Sequence, residues 1–183
     1  MLRLLLALST VAALNITCVD ELQVSFKTAA ASCGNTFKQS DVQSQPGVAY
    51  PGASKDKLYL FIMMDPDACL GDTDPCASWA PGSTAAPGAA APVRHWVVGD
   101  IYGETLREGK MMMYADQFAP YHGPSPPSGA HRYFFGVWEQ AGEVADPAFG
   151  DNATDWDYGA FLREAGVASD PVAANWIIVE HTE

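Results

Sequence analysis

The sequence predicts a single, mostly β domain in which two sheets pack against each other and helices are few. Three observations support this prediction. The chain has 183 residues, which suits one domain of ordinary size. Its 16 glycines and 13 prolines indicate many turns rather than long helices. Its apolar segments have the length of strands, and a 48% hydrophobic content is sufficient for a core.

The charge of the chain limits its partners. The formal net charge is −12 at pH 7 and the sequence pI is about 4.5. Acidic proteins repel the phosphates of nucleic acids and anionic lipid surfaces, and no Lys/Arg cluster offsets this here. We therefore expect no nucleic-acid partner. A pocket for one small anion depends on local donors rather than on net charge and is compatible with this composition.

Residues 1–13 are predicted to be a cleaved signal peptide. Arg3 supplies one positive charge, and the apolar run from Leu4 to Leu14 is too short to span a bilayer. Small residues at Val11–Ala13 suit a cleavage site, whereas the alternative is a buried N-terminal helix or strand. The predicted mature domain, residues 14–183, is then secreted or in the secretory pathway, is monomeric, and has no transmembrane segment.

Four cysteines remain after the predicted cleavage: Cys18, Cys33, Cys69 and Cys76. An even number in a secreted chain indicates two disulfides, with three possible pairings. Closing the short loop between Cys69 and Cys76 is the simplest pairing, and Cys18 would then bond to Cys33. No C-x-x-C spacing and no neighbouring histidine points to zinc, so no metal is expected.

Two kinds of segment are predicted to lie at the surface. The triplets that begin at Asn15 and Asn152 match the N-x-T glycosylation acceptor, which fits a secreted protein. Residues 77–92 are rich in Ala, Pro and Gly and carry no charge. We interpret them as a surface loop rather than a domain linker, because too little chain precedes them to form a second core.

The first half of the chain contains three predicted extended segments. Polar and apolar residues alternate from Leu22 to Phe26, as in a half-buried strand. A second segment is expected to begin at Gly34-Asn35 and to end at Pro46-Gly47. The continuous apolar run from Leu58 to Met64 predicts a central strand that is buried on both faces.

Further strands are predicted in the second half, at Arg94–Ile101, Met111–Tyr114, His131–Gln140 and Asn175–Glu180. Residues 121–129 contain three prolines and two glycines, which exclude a regular element.

One helix is predicted near the C-terminus. It is expected to begin with Thr154 as its cap, to bury Trp156, Phe161 and Leu162, and to end at Gly166.

Polar side chains with a possible binding role occur at three strand ends. Asp65 and Asp67 follow the central apolar run and lie on either side of Pro66. They either form part of a site or belong to a turn in which an Asp side chain bonds to nearby backbone amides. His95 opens the next strand, where a histidine is useful but is often structural. His131 and Tyr133 alternate with Arg132, so they share one face and could donate to one anion.

Arg132 would then form a structural ion pair on the other face. The sequence contains no G-x-S-x-G, H-E-x-x-H, G-x-G-x-x-G or P-loop motif. We therefore expect a binding protein rather than an enzyme, without a cofactor.

These motifs together resemble those of the phosphatidylethanolamine-binding protein family. Asp65-Pro66-Asp67-Ala68 resembles its D-P-D-A-P box, and His95-Trp96-Val97-Val98 resembles its H-W-L-V strand. The segment from Tyr121 to Tyr133 resembles its Y-x-G-P-x-P-P-x-G-x-H-R-Y signature, and Pro171–Trp176 resembles its C-terminal P-V-A-G-N-F segment. Order and spacing agree from about Leu22 to Glu180.

The resemblance implies a large central antiparallel sheet, a smaller sheet, a few short helices and a small anion pocket at one end of the large sheet. The pocket would accept phosphate-bearing molecules such as phosphorylethanolamine or a phospholipid head group. The residues that match the family's pocket are Asp65, Asp67, His95, Pro127, His131 and Tyr133. His131 and Tyr133 would donate to phosphate oxygens, and the two aspartates would orient the imidazoles or bind an ammonium group.

The sequence also departs from the family pattern. Cys69 replaces the proline of the D-P-D-A-P box, Leu70-Gly71 replaces the Ser-Arg that usually follows, and Val93 stands where some relatives carry a tryptophan. Because relatives also include inhibitors and signalling regulators, the alternative function is inhibition of a serine protease or regulation through protein contacts.

Overall fold

The computed structural model describes residues 18–19, 22–68, 92–147, 149, 153 and 158–182. Within these ranges the chain forms short helices and eight strands. They are β1 (Gln23–Ser25), β2 (Asn35–Lys38), a 3-10 helix (Gln39–Val42), β3 (Gly47–Ala49), β4 (Leu58–Asp65), β5 (Val93–Tyr102), α1 (Gly103–Arg107), β6 (Asp116–Ala119), β7 (Ala130–Gln140), α2 (Tyr158–Glu164) and β8 (Ala173–Glu180).

The strands form one large and one small sheet. The large sheet has six strands in the order β2-β8-β7-β4-β5-β6, and β1 pairs with β3 in the small sheet. All pairs are antiparallel except β2 with β8, which run parallel. This architecture confirms the predicted fold class, a mostly β protein with a large sheet, a smaller sheet and few short helices.

Strand β4 is the centre of the core, as its apolar run predicts. Alternate side chains of β4 enter two different hydrophobic clusters, because successive residues of a strand face opposite sides of the sheet. Phe61 and Met63 pack on the face that the small sheet covers, while Leu60 and Ile62 pack on the face that α2 covers. Full burial of each such side chain contributes about 1.5–3 kcal/mol to stability.

The predicted strand at Met111–Tyr114 is wrong. These residues form turns, and the strand lies further on, as β6. Tyr114 has a left-handed backbone with φ +66°, which interrupts the extended conformation at the end of this segment. Met111 is buried, but Met112 and Met113 are 36% and 44% exposed.

One helix and one strand boundary also differ from the prediction. The helix α1 follows β5 directly and was not predicted, because five residues are too few to show a helical period. Gly47 begins β3 rather than ending the preceding segment.

The end of the predicted C-terminal helix is confirmed, because Gly166 adopts φ +65° two residues after α2 ends at Glu164. The predicted cap, Thr154, and Trp156 lie outside the described residues. So do the predicted signal peptide, Asn15, Asn152, Cys69 and Cys76, and all of the predicted 77–92 loop except Pro92. No described helix combines the length and the apolar character that a membrane crossing requires.

Candidate functional site

The candidate site lies at one end of the strands of the large sheet, where β4 ends and where β5 and β7 begin. Asp65 is the last residue of β4 and lies opposite Val93, the first residue of β5. His131 and Tyr133 are the second and fourth residues of β7, which flanks β4 on the side opposite β5. The antiparallel order of these three strands therefore brings together polar residues that are distant in sequence.

A β-bulge places His95 in this group. On β5, Trp96 lies opposite Met63 and Arg94 lies opposite Met64, so His95 is an extra residue without a partner on β4. Bulges redirect side chains and are frequent beside functional sites. The ring of His95 meets the ring of Tyr133 edge-on, with 5.1 Å between ring centroids and 82° between ring planes.

Asp65 and His131 form a buried pair at the centre of the site. The Nδ1 of His131 lies 2.7 Å from Oδ2 of Asp65, and the two side chains are only 3% and 4% exposed. The other carboxylate oxygen, Oδ1, accepts the backbone N–H of Asp67 at 2.8 Å. The turn after β4 therefore fixes the carboxylate of Asp65, which in turn fixes the imidazole.

The contact with Asp65 controls the protonation of His131. A carboxylate oxygen accepts hydrogen bonds, so Nδ1 of His131 carries a proton. Burial by itself would lower the pKa of His131, but the hydrogen bond to Asp65 and the negative charges of Asp65 and Asp67 outweigh it and raise this pKa. The buried Nε2 atom of His131 has no hydrogen-bond partner among the described residues. When the ring is charged, this atom is a donor directed away from Asp65.

His95 has the opposite electrostatic character. Burial lowers its pKa, which the hydrogen bond to the backbone of His122 offsets only in part. Its Nδ1 lies 2.8 Å from the carbonyl oxygen of His122, which accepts the Nδ1 proton. Nε2 of the neutral ring then carries a lone pair and can accept a hydrogen bond.

Tyr133 completes the buried group with a phenol that keeps its proton. Burial, the charge of Asp65 and a hydrogen-bond interaction with Asp65 raise the pKa of Tyr133, while the backbone of Ser125 acts in the opposite direction. The site therefore combines a chargeable histidine, a neutral histidine and a neutral phenol around one carboxylate.

The carboxylate of Asp67 is held by Arg132. Its Oδ2 accepts the backbone N–H of Arg132 at 2.9 Å and the Nε–H at 2.7 Å, while an Nη2–H bonds to Oδ1. This is the ion pair that the strand alternation predicts for Arg132. Asp65 orients an imidazole, as the resemblance implies. Asp67 acts differently, because its carboxylate bonds to Arg132 while its backbone N–H donates to Asp65.

The proline-rich loop at residues 121–129 is anchored beside the site. The backbone N–H of His122 donates to the carbonyl oxygen of His95 at 2.8 Å, and the carbonyl of His122 in turn accepts the Nδ1–H of His95, so two hydrogen bonds join these residues. The hydroxyl of Tyr121 donates to the carbonyl of Val42 at 2.6 Å, and the N–H of His181 donates to Gly129 at 2.7 Å. Pro127, the family-matched proline, lies on the exposed surface of this loop.

Sequence reasoning missed one of the backbone groups that support the site. The carbonyl of His122 acts through a main-chain atom, which no residue type reveals, whereas the backbone contact of Ser125 comes from the proline-stiffened loop that the sequence predicts to present backbone amides. The sequence also contained no signal for the bulge at His95, since bulges depend on how two strands pair. Within the described ranges, no three acidic, histidine or cysteine side chains form a cluster that could hold a metal ion.

Fold and site together define a class: β-sheet proteins with a small, buried polar site at the strand ends of the large sheet, beside a proline-rich loop. The sequence model of the family described as phosphatidylethanolamine-binding protein matches residues 22–177. The chain belongs to this family.

Two curated proteins illustrate the sequence relationship. Protein BROTHER of FT and TFL 1 of Arabidopsis thaliana is 28% identical over 158 residues, which cover 84% of this chain and 76% of that protein. The 26 kDa secreted antigen of Toxocara canis is 29% identical over 133 residues, which cover 73% of this chain. The match spans only 41% of the antigen.

Two solved structures illustrate the shared fold. A phosphatidylethanolamine-binding protein from Plasmodium vivax has a TM-score of 0.65 at 20% identity, with 90% of this chain and 88% of that chain covered. Carboxypeptidase Y inhibitor, in complex with its cognate proteinase, has a TM-score of 0.60 at 22% identity, with 88% and 83% covered. At these identities the similarity shows the fold alone.

Proposed function

We propose that the site binds a phosphate monoester such as phosphorylethanolamine, free or as a phospholipid head group. The observation that carries this proposal is the buried Nε2 of His131, which has no partner among the described residues and belongs to a ring whose pKa is raised. An imidazolium N–H buried in this way forms a strong, charge-assisted hydrogen bond with a phosphate oxygen. Tyr133 adds a neutral hydroxyl beside it.

The local charges favour an anion although the protein as a whole is acidic. Arg132 balances the charge of Asp67, and protonated His131 balances that of Asp65. The phosphate therefore meets no uncompensated carboxylate from these two pairs. Neutral His95 offers a lone pair, which can accept a hydrogen bond from the P–OH group of a singly ionised phosphate.

The remaining family-matched residues support the pocket rather than contact the anion. Asp67 positions Asp65 through its backbone N–H and fastens the turn to β7 through Arg132. Pro127 restricts the backbone of the loop beside the site.

We infer binding without turnover. The two buried histidines are hydrogen-bonded to a carboxylate and to a backbone carbonyl rather than to a nucleophilic hydroxyl or thiol.

Replacement of His131 by alanine is expected to weaken binding of phosphorylethanolamine roughly 10- to 100-fold, because a hydrogen bond to a charged group is worth about 1.5–3 kcal/mol. Isothermal titration calorimetry measures this loss. His122→Ala is the matched control, since the His122 side chain is exposed and its contacts to His95 are made by backbone atoms. Equal affinity in the His131 variant would refute the proposed site. Absence of binding in all three proteins would refute the ligand and favour a role through protein contacts.

We also propose that the protein functions in an oxidising compartment, outside the cell or in the secretory pathway. Cys18 and Cys33 form a disulfide with 5.8 Å between their Cα atoms, and disulfides persist in such compartments. Expressed with its own N-terminus in eukaryotic cells, the protein is expected to appear in the medium with its N-terminus at Leu14. Mass spectrometry without reduction should find Cys18 bonded to Cys33. Intracellular, uncleaved protein with reduced cysteines would contradict this proposal.

A further inference from the structure

The position of His95 in the sheet brings its ring to the candidate site. Successive residues of a regular strand face opposite sides, so His95 would normally face away from its neighbour Trp96. The bulge changes this, because the ring of His95 contacts Tyr133, which belongs to the same hydrophobic cluster as Trp96. His95 therefore shares the face of the sheet that carries Tyr133 and, by the alternation of β7, His131.

A main-chain contact fixes the tautomer of His95. The carbonyl oxygen of His122 lies 2.8 Å from Nδ1, and a carbonyl only accepts hydrogen bonds, so Nδ1 carries the proton. In the neutral ring Nε2 is then purely an acceptor. Because the two nitrogens lie on different sides of an imidazole, Nε2 points away from the carbonyl that binds Nδ1.

This Nε2 atom is available to a ligand. It has no hydrogen-bond partner among the described residues, and it retains some accessible surface although His95 as a whole is only 6% exposed. Burial is the main cause that lowers the pKa of His95, and the charges of His122 and His131 act in the same direction. The backbone hydrogen bond to His122 and the charge of Asp65 oppose these effects only in part. Near pH 7 the ring is therefore neutral.

An acceptor at this position distinguishes ligands that carry the same charge. A singly ionised phosphate monoester has one P–OH group, which can donate to Nε2. A sulfate ester has nearly the same shape and the same charge but no hydrogen on its oxygens, and the phosphodiester of a phospholipid also has none. With these two ligands an anionic oxygen faces the lone pair of Nε2, and a site that requires a hydrogen bond rejects ligands that lack the donor.

We propose that His95 determines the specificity of the site: by accepting a hydrogen bond from P–OH, it selects singly ionised phosphate monoesters over sulfate esters and over phosphodiesters. This inference rests on the proposed phosphate site and narrows its ligand to free monoesters. His131 and Tyr133 donate to the other oxygens of the same phosphate. A phospholipid head group is then a weak ligand, because its phosphate is a diester.

Three ligands that share one ethanolamine group test the proposal with the full chain: phosphorylethanolamine, ethanolamine O-sulfate and glycerophosphorylethanolamine. At pH 6.5, isothermal titration calorimetry should show phosphorylethanolamine binding about tenfold more tightly than the other two. The ammonium group is common to all three and cannot cause this difference. The sulfate ester separates the loss of P–OH from the steric effect of the glycerol group.

Two variants of His95 separate its two nitrogens. His95→Asn keeps an amide nitrogen near the position of Nδ1, which can donate to the carbonyl of His122, but removes the acceptor at Nε2. It should bind phosphorylethanolamine and ethanolamine O-sulfate within about twofold of each other. His95→Gln places an amide oxygen near the position of Nε2 and should restore part of the preference for phosphate. His122→Ala removes an exposed side chain and should keep the wild-type preference.

Proton uptake tests the same contact in the wild-type protein. At pH 7 most free phosphorylethanolamine is doubly ionised, because phosphate monoesters lose their second proton near pH 6. Binding of the singly ionised form should therefore take up about 0.9 proton more than binding of ethanolamine O-sulfate. Uptake by His131 is common to both ligands and cancels in the difference. Calorimetry in buffers of different ionisation enthalpy measures this quantity.

The outcomes separate the specificity from the site itself. Equal affinity of the wild type for the phosphate and sulfate esters, or equal proton uptake, would overturn the role of His95. Tight binding of glycerophosphorylethanolamine would also overturn it and would identify the phospholipid head group as the ligand. Binding of none of the three ligands would refute the phosphate site, and this inference with it. Thermal unfolding checks that each variant is folded.

Discussion

Replacement of Arg132 by methionine is expected to lower the free energy of unfolding by about 3–5 kcal/mol, because it leaves a buried carboxylate without its cation. The side chains of Arg132 and Asp67 are only 10% and 8% exposed. The guanidinium contacts both oxygens of the carboxylate, an arrangement with well-defined geometry. The same bonds tie the turn after β4 to β7, so the loss also loosens the backbone that holds Asp65.

Equilibrium denaturation in urea measures this change. The double variant Asp67→Asn/Arg132→Met should be less destabilised than the sum of the two single variants, with a coupling of about 0.5–3 kcal/mol for groups in direct contact. Lys110→Met is the control, since its pair with Glu108 is exposed to solvent and its removal should leave stability unchanged. If Arg132→Met proves as stable as Lys110→Met, the buried pair has no structural importance.

Replacement of Asp65 by asparagine is expected to weaken phosphorylethanolamine binding roughly 10- to 100-fold at pH 7, the range for loss of a charge-assisted hydrogen bond. Asparagine preserves the shape of the side chain, and its one amide oxygen can accept the Nδ1–H of His131. Its NH2 group then faces the backbone N–H of Asp67, which loses its acceptor. The substitution removes the charge that raises the pKa of His131, and burial then lowers this pKa. His131 becomes neutral near pH 7, so its Nε2 no longer donates to the phosphate. Affinity in the variant should recover as the pH is lowered.

The wild-type protein should show the corresponding pH dependence. Above the raised pKa of His131, affinity should fall up to about tenfold per pH unit as the ring loses its proton. The phosphate ligand has its own ionisation near pH 6, so ethanolamine O-sulfate, whose charge is constant, serves as the reference ligand. Titrations between pH 5 and 9 should place the wild-type transition at higher pH than the Asp65→Asn transition. Identical pH profiles would contradict the role of Asp65.

Stability should follow the same ionisation. Because folding raises the pKa of His131, the stabilising contribution of the Asp65–His131 pair is complete below the unfolded value of 6.5. It is lost as the pH rises through the folded value. Thermal unfolding of the wild type against Asp65→Asn should therefore show the largest difference on the acidic side of this window.

Much of the fold is predictable from local pattern. The apolar run of β4 has to be buried on both faces, and the prolines of residues 121–129 exclude a ladder of backbone hydrogen bonds. The prediction failed at Met111–Tyr114, where the apolar composition is typical of a strand but the chain forms turns that end at the left-handed residue Tyr114.

The sequence by itself determined the family, the two-sheet architecture and the strand ends that carry Asp65, His95 and His131, because strand periodicity and proline-rich motifs are local properties of the chain. Tertiary structure alone decided how these groups act. The bulge that directs His95 depends on the pairing of β5 with β4, and the pKa values of the two histidines depend on burial and on charges from distant segments.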